Sequence, residues 1–137
     1  MIRALVLAAG LLAGGAGMAE ESFADSLEGS EWVPVEVAGA PVPEESPAML
    51  QFGAEGRVAG NGGCNRFAGT FTVGEGAISF GPMAVTRMMC PPPMMALERA
   101  FLDALAASVA YVRDGIALEL GDASGTTVMT LRQTDWE

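Results

Sequence analysis

The chain has 137 residues and a formal charge of -10, from 17 acidic residues against 7 basic ones, all of them arginine, and it has no histidine. Those absences exclude Ser-His-Asp and Cys-His catalysis, imidazole metal centres, Schiff-base lysines and a phosphate-loop lysine. The charge argues against nucleic acid and disfavours anionic membrane surfaces as partners, because phosphate binding draws on clustered basic side chains and the arginines here fall singly along the chain.

The first 19 residues read as a secretory signal peptide. Met1-Ile2-Arg3 is a short positive start, Ala4 to Leu12 is an apolar run, and Gly17-Met18-Ala19 is a small-residue cleavage site. A membrane span needs about 20 apolar residues, and glycines break this run sooner. No cysteine lies near the cut, so no lipid anchor is expected. Cleavage after Ala19 leaves 118 residues, enough for one domain with a modest core. The expectation is a periplasmic, soluble, monomeric protein without a membrane span in its mature form. An acidic segment, 20–28, loose or forming a short helical turn, precedes a single domain over 29–137.

Within that domain the hydrophobic period is mostly two. Val33, Val35 and Val37 alternate with Pro34 and Glu36, which predicts a strand with the valines facing inward. The stretch 38–47, with three prolines and two glutamates, reads as a loop. Short strands are predicted at 49–52 and 57–60, then a longer one in which Phe67, Gly69, Phe71 and Val73 share a face. Others follow at 78–80, 84–89, 110–113, at Ile116, Leu118 and Leu120, and at 127–132. Glu55-Gly56, Gly74-Glu75-Gly76, Asp114-Gly115 and the stretch 122–125 supply tight turns that only antiparallel neighbours can use. One segment differs: after Pro91-Pro92-Pro93, Leu97, Phe101 and Leu105 recur at helical spacing, with Glu98, Arg99 and Asp103 assigned to another face. This predicts one amphipathic helix, 94–107, starting beside a proline that is tolerated in the first turn. The fold class is therefore mainly β: an antiparallel, open or closed barrel of about eight strands, with one helix inserted between the sixth and seventh strands. Closure is favoured because it removes exposed edges.

Cys64 and Cys90 are the only cysteines. In an exported chain they are expected to form a disulfide. A zinc site built on two cysteines without histidine is poorly supported, and no base is present to activate a thiolate nucleophile.

The run Gly63-Cys64-Asn65-Arg66-Phe67-Ala68-Gly69-Thr70-Phe71, then Thr86-Arg87-Met88-Met89-Cys90, then a helix carrying Glu98 and Phe101, resembles the META domain of the HslJ-like bacterial envelope proteins. Trp32 matches that family's early tryptophan, and Leu118-Glu119-Leu120 matches its late strand. The resemblance spans about Gly29 to Arg132. Many members have Ala where this chain has Met89, and many carry a lipoprotein cysteine that is absent here. The resemblance implies a small lipocalin-like barrel and a loose association with heat-shock and envelope-stress responses. It brings no established enzymatic activity, cofactor or catalytic residue.

The family-motif residues Gly63, Asn65, Phe67, Gly69, Thr86 and Arg87 are thus the first candidates for a site. Gly60-Asn61-Gly62-Gly63 reads as a structural turn, since no phosphate-loop Lys follows it. Arg66 and Arg87 lie near the two cysteines and form a candidate anion or peptide patch, although a pair of surface or carboxylate-paired arginines is the simpler reading. Met83, Met88, Met89, Met94 and Met95 are soft donors that suit Cu(I) or, more simply, fillers of an irregular core. A carboxylate hydrolase would draw on Glu44, Glu45, Glu98, Asp103, Asp114, Glu119 or Asp122, but no motif singles out a pair. The expected function is non-enzymatic binding of a protein or small apolar ligand in the envelope, with no catalytic residue, metal or cofactor. The alternative is a barrel carrying a lipophilic ligand in a cavity lined by Phe67, Phe71, Phe80, Phe101 and the methionines.

Overall fold

The computed structural model describes residues 27–134, so the expected signal peptide and Trp136 lie outside the described residues. The chain runs through β1 (Glu31–Val37), β2 (Ala40–Pro41), β3 (Met49–Phe52), β4 (Arg57–Asn61), β5 (Arg66–Val73), β6 (Ile78–Phe80) and β7 (Ala84–Val85). Helix α1 (Pro92–Ala107) follows, then β8 (Ala110–Asp114), β9 (Ala117–Gly121) and β10 (Thr127–Gln133). The strands form one antiparallel path in the order β6-β5-β4-β3-β1-β10-β9-β8, with β2 added to β1 and β7 to β5.

This path curls into a nearly closed barrel. Where β6 meets β8 there is no ladder, only the bridge Ala77–Ala110, flanked by the hydrogen bonds Ile78 N–H to Val109 O and Tyr111 N–H to Gly76 O, each 3.1 Å. Helix α1 packs against β1, β6 and β10 and drives Phe101, Ala104 and Leu105 into the interior. The barrel class and the single helix ahead of the last strands are as the sequence predicts.

Alternation decides which side chains enter the core. On β5, Phe67 and Phe71 are buried between exposed neighbours, and on β9 Leu118 and Leu120 are buried in the same way. The interior is filled by Trp32, Phe52, Phe101 and a shell of leucines. The aromatic residues assigned to a ligand cavity in the alternative expectation pack on one another instead. Ring centroids lie 4.8 Å apart for Phe52–Phe71, 6.3 Å for Phe52–Phe80 and 5.6 Å for Phe67–Phe101. Close approach needs glycine at one point: a Cβ on Gly60 would run into the Met49 carbonyl and the Phe67 ring.

Four expectations need correction. In β1 the inward residues are Trp32, Pro34 and Val37, while Val33 is half-buried and Val35 exposed. A register shift between Pro34 and Glu36 against β10 changes the phase of the strand midway. The helix begins at Pro92 rather than at residue 94, because two prolines fit its first two positions, where their missing N–H groups have no partner to lose. The strand predicted over 84–89 ends at Val85, for a reason found in the loop that faces it. The loop predicted over 38–47 contains the two-residue strand β2. In addition, Leu27, within the acidic segment placed ahead of the domain, is fully buried in the core.

Because Phe101 is fully buried between α1 and Phe67, Phe101→Ala is expected to cost about 3–5 kcal/mol. Urea unfolding followed by tryptophan fluorescence checks this.

Candidate functional site

The segment after β4 turns back on itself before β5 begins. Asn61 Oδ1 accepts the Gly63 N–H at 2.7 Å, and the Gly62 N–H bonds to the Asn65 carbonyl at 3.1 Å. Gly63 has φ of 130°, and a Cβ there would press on Leu97 Cδ2 at 3.2 Å and on the Met94 carbonyl at 3.3 Å. Only glycine lets this loop lie directly on the first turns of α1. The loop thereby brings Cys64 and Asn65 over Glu98.

Glu98 is buried, with 8% of its surface exposed. Its Oε1 accepts the backbone N–H of Cys64 at 3.2 Å and the backbone N–H of Asn65, while Oε2 accepts Asn65 Nδ2 at 2.9 Å. Among the described residues the only ion pair is the exposed Arg57–Glu55, so no cation neutralises this carboxylate. Its burial is offset by charge-assisted N–H donors alone.

Asn65 extends the clamp on its other side. Its Oδ1 accepts the Met88 N–H and, at 3.0 Å, the Thr86 hydroxyl, and its Nδ2 also reaches the Met88 carbonyl at 3.4 Å. Thr86 Oγ1 in turn accepts the Arg66 N–H at 3.1 Å. The Thr86 N–H still bonds the Arg66 carbonyl at 3.0 Å, but past it the Asn65 side chain takes both backbone groups of Met88, and the strand predicted over 84–89 ends at Val85. Cys64 and Cys90 complete the clamp as a disulfide with a Cα–Cα distance of 6.1 Å.

The sequence-predicted residues divide accordingly. Gly63, Asn65 and Thr86 build the clamp. Phe67 is core, and Gly69 gives room for the crossing chain at Pro82 and Met83, whose carbonyl and sulfur would lie 2.7 and 2.5 Å from a Cβ there. Arg66 and Arg87 are both exposed, but they line different depressions. The candidate patch built from both is therefore not assembled.

The methionines partly converge. Met83, Met88, Met89 and Met95 line one groove of about 490 Å³ beside α1, together with Val85, Leu102 and Arg87. Met94 faces another depression. The Met83 sulfur lies against Gly69, and Met89 is 90% exposed.

Of the carboxylates weighed for hydrolysis, Glu44, Glu45, Asp103, Asp114 and Glu119 are exposed. Asp122 clasps its own turn: its Oδ1 accepts the Ser124 hydroxyl at 2.8 Å and the N–H groups of Ser124 and Thr126 at 3.0 Å each. The Ser124 hydrogen bond is the main reason its carboxyl sits below the usual value of 3.8. Glu98 alone lies inside, which overturns its placement on a solvated face. A signal for this was present, since Glu98 falls three residues before Phe101 and seven before Leu105, on the apolar stripe of α1.

A small antiparallel barrel, its single helix clamped by a Gly-Cys-Asn loop and a disulfide, defines an all-β domain whose signature residues serve architecture. The META domain family matches over residues 25–135, and the chain belongs to that family. Among solved structures it is similar to a protein from Burkholderia xenovorans determined by NMR. The two share 26% identity over 81% of this chain and 86% of that one, with a TM-score of 0.66. A second NMR structure shares 27% identity over 79% and 92% of the two chains, with a TM-score of 0.64. A crystal structure of a duf4847 family protein from Bacteroides vulgatus ATCC 8482 shares the fold at 14% identity, covering 81% and 96% of the two chains, with a TM-score of 0.55. None of the curated proteins matches the chain.

In Glu98→Gln an amide N–H₂ would face the Asn65 N–H₂, or its rotated form would face two backbone N–H groups. The substitution is expected to lower stability by about 2 kcal/mol, whereas Asp103→Asn on the exposed face stays within about 0.5 kcal/mol. Reduction of Cys64–Cys90 is expected to remove about 3–4 kcal/mol, from the loop it closes. Urea titrations of both variants, and of the parent with and without reductant, measure all three.

Proposed function

We propose that this META-domain protein is a non-enzymatic binding domain of the bacterial envelope, active under stress, that holds an apolar segment of another protein. The observation that carries this reading is the groove between α1 and residues 83–89. Met88 and Met89 are 55% and 90% exposed there, where a folded chain with no partner would gain by burying them. Methionine is unbranched and polarisable, so a groove lined by it adapts to apolar side chains of different shape. Arg87 stands at the same groove and suits a segment that carries a carboxylate beside its apolar residues.

The disulfide at Cys90 and the Asn65 hydrogen bonds to Met88 hold the backbone of this lip in place. Binding then orders only side chains, which reduces its entropic cost. The signal-peptide pattern of residues 1–19 and the disulfide support an extracytoplasmic address. Among the described residues no helix is long and apolar enough to cross a membrane.

The test uses an eight-residue Leu- and Val-rich peptide with a free C-terminal carboxylate, followed through the methionine methyl signals. Saturable shifts at Met88, Met89 and Met95 are expected. In Met88→Gln/Met89→Gln the affinity should fall about tenfold, near 1.4 kcal/mol, with the melting temperature unchanged. Absence of saturation, or equal affinity in the variant, overturns the proposal.

A further inference from the structure

The charge of this chain is unevenly placed. Residues 56–97 hold three of the seven arginines, Arg57, Arg66 and Arg87, and one of the 17 acidic residues, Glu75. That stretch carries a formal +2 in a chain of -10, and it builds β4, β5, β6 and β7. Arg57 is paired with Glu55, just outside that stretch, which leaves Arg66 and Arg87 as its uncompensated cations, and such charge draws anions from solution.

On the outer face of that side the register makes a trough. Gln51 pairs with Ala59, Ala59 with Ala68, and Ala68 with Ala84, so one row crosses β3, β4, β5 and β7 with a floor of three alanines. Four strands spaced about 4.8 Å apart give a floor about 14 Å long. Arg66 stands in the row on one side, opposite Asn61, and Arg57 in the row on the other, opposite Thr70. Four residues of β4 separate those rows, about 13 Å. The depression over the Arg66 end measures about 610 Å³, and a second one of about 170 Å³ over Gln51, Ala59 and Ala68 continues it to Arg57. Arg66 makes no ion pair, since the only one among the described residues is Arg57–Glu55.

We propose that this trough binds a single anionic amphiphile, with its carboxylate on Arg66 and its apolar body laid across Ala59, Ala68 and Ala84. An alanine floor offers a smooth apolar surface with no side chain to displace, and the guanidinium fork matches a carboxylate in two parallel hydrogen bonds. A chain of about ten carbons matches the length of that floor. The site lies on a different face from the methionine groove and is independent of it, and the barrel interior remains packed.

Decanoate, below its micelle concentration, is the probe, with decan-1-ol as its uncharged control and backbone amide shifts as the readout. Saturable shifts at Ala59, Ala68 and Ala84 are expected with decanoate, weakening at least tenfold in Arg66→Gln and as the salt concentration is raised. Ala68→Phe, which fills the trough without altering charge at an exposed strand position, should abolish the shifts while the melting temperature holds. The proposal is overturned if decan-1-ol binds equally well, if Arg66→Gln leaves the affinity unchanged, or if the shifts map to the methionine groove or the core. It is also overturned if no saturation occurs.

Discussion

A carboxylate buried without a cation is the constraint around which this barrel is arranged. Glu98 would be costly inside a protein unless N–H donors surround it, and the loop over 62–65 exists in the shape that supplies them. Its glycines allow the backbone to touch α1, its turn aims the N–H groups of Cys64 and Asn65 at one oxygen, and the Asn65 amide serves the other. Asn65 then spends its remaining capacity on Thr86 and Met88. One side chain therefore joins a strand start, the helix and the segment leading into the helix, and the disulfide closes the same three pieces covalently.

That clamp also shapes the surface. Residues 86–88 carry a strand-like sequence, and on propensity alone they would extend β7 along β5. Thr86 keeps its bond to Arg66 of β5, but Asn65 takes the backbone of Met88, so that the chain leaves the sheet toward α1 with Met88 and Met89 exposed. The exposed groove is a consequence of the clamp, because the backbone that forms its lip has exchanged sheet partners for the Asn65 side chain.

Much of this architecture was legible in the sequence, and the misses have specific causes. The turns at Gly56, Gly76, Gly115 and Gly125 were readable because each adopts a positive φ, a conformation that only certain residues enter readily. The alternation in β5 and β9 was readable because those strands keep one register throughout their buried lengths. β1 was misread in phase because its bulge lies in the pairing with β10, a partner about a hundred residues away, which no local pattern records. Of the candidate site, the motif residues and the disulfide were visible. Glu98 was not, because charge outweighed position in assigning its face, although its spacing from Phe101 and Leu105 placed it on the buried stripe. The separation of Arg66 from Arg87 was hidden for a related reason: Arg87 lies past the end of β7, where the chain has left the sheet, and the two arginines line different hollows.

The division between interior and exterior bears on what a META domain can do. Of the residues that identify the family, Gly63, Asn65, Phe67, Gly69 and Thr86 are consumed by packing and by the clamp, while Arg66 and Arg87 stay exposed, so family membership predicts the fold and leaves the ligand to the surface. The interior holds rings packed edge-on and tilted against one another where a carrier barrel would keep space, which moves any recognition outward. Both outward candidates, the methionine groove and the alanine trough, lie mainly within the acid-poor stretch 56–97, and Thr86 lines both. An acidic protein that concentrates its cations and its exposed apolar surface in one part of the chain is suited to partners that combine an apolar body with negative charge. Bulk repulsion by the rest of the molecule keeps other anions at a distance, so a ligand must offer apolar contact as well as charge to be held there.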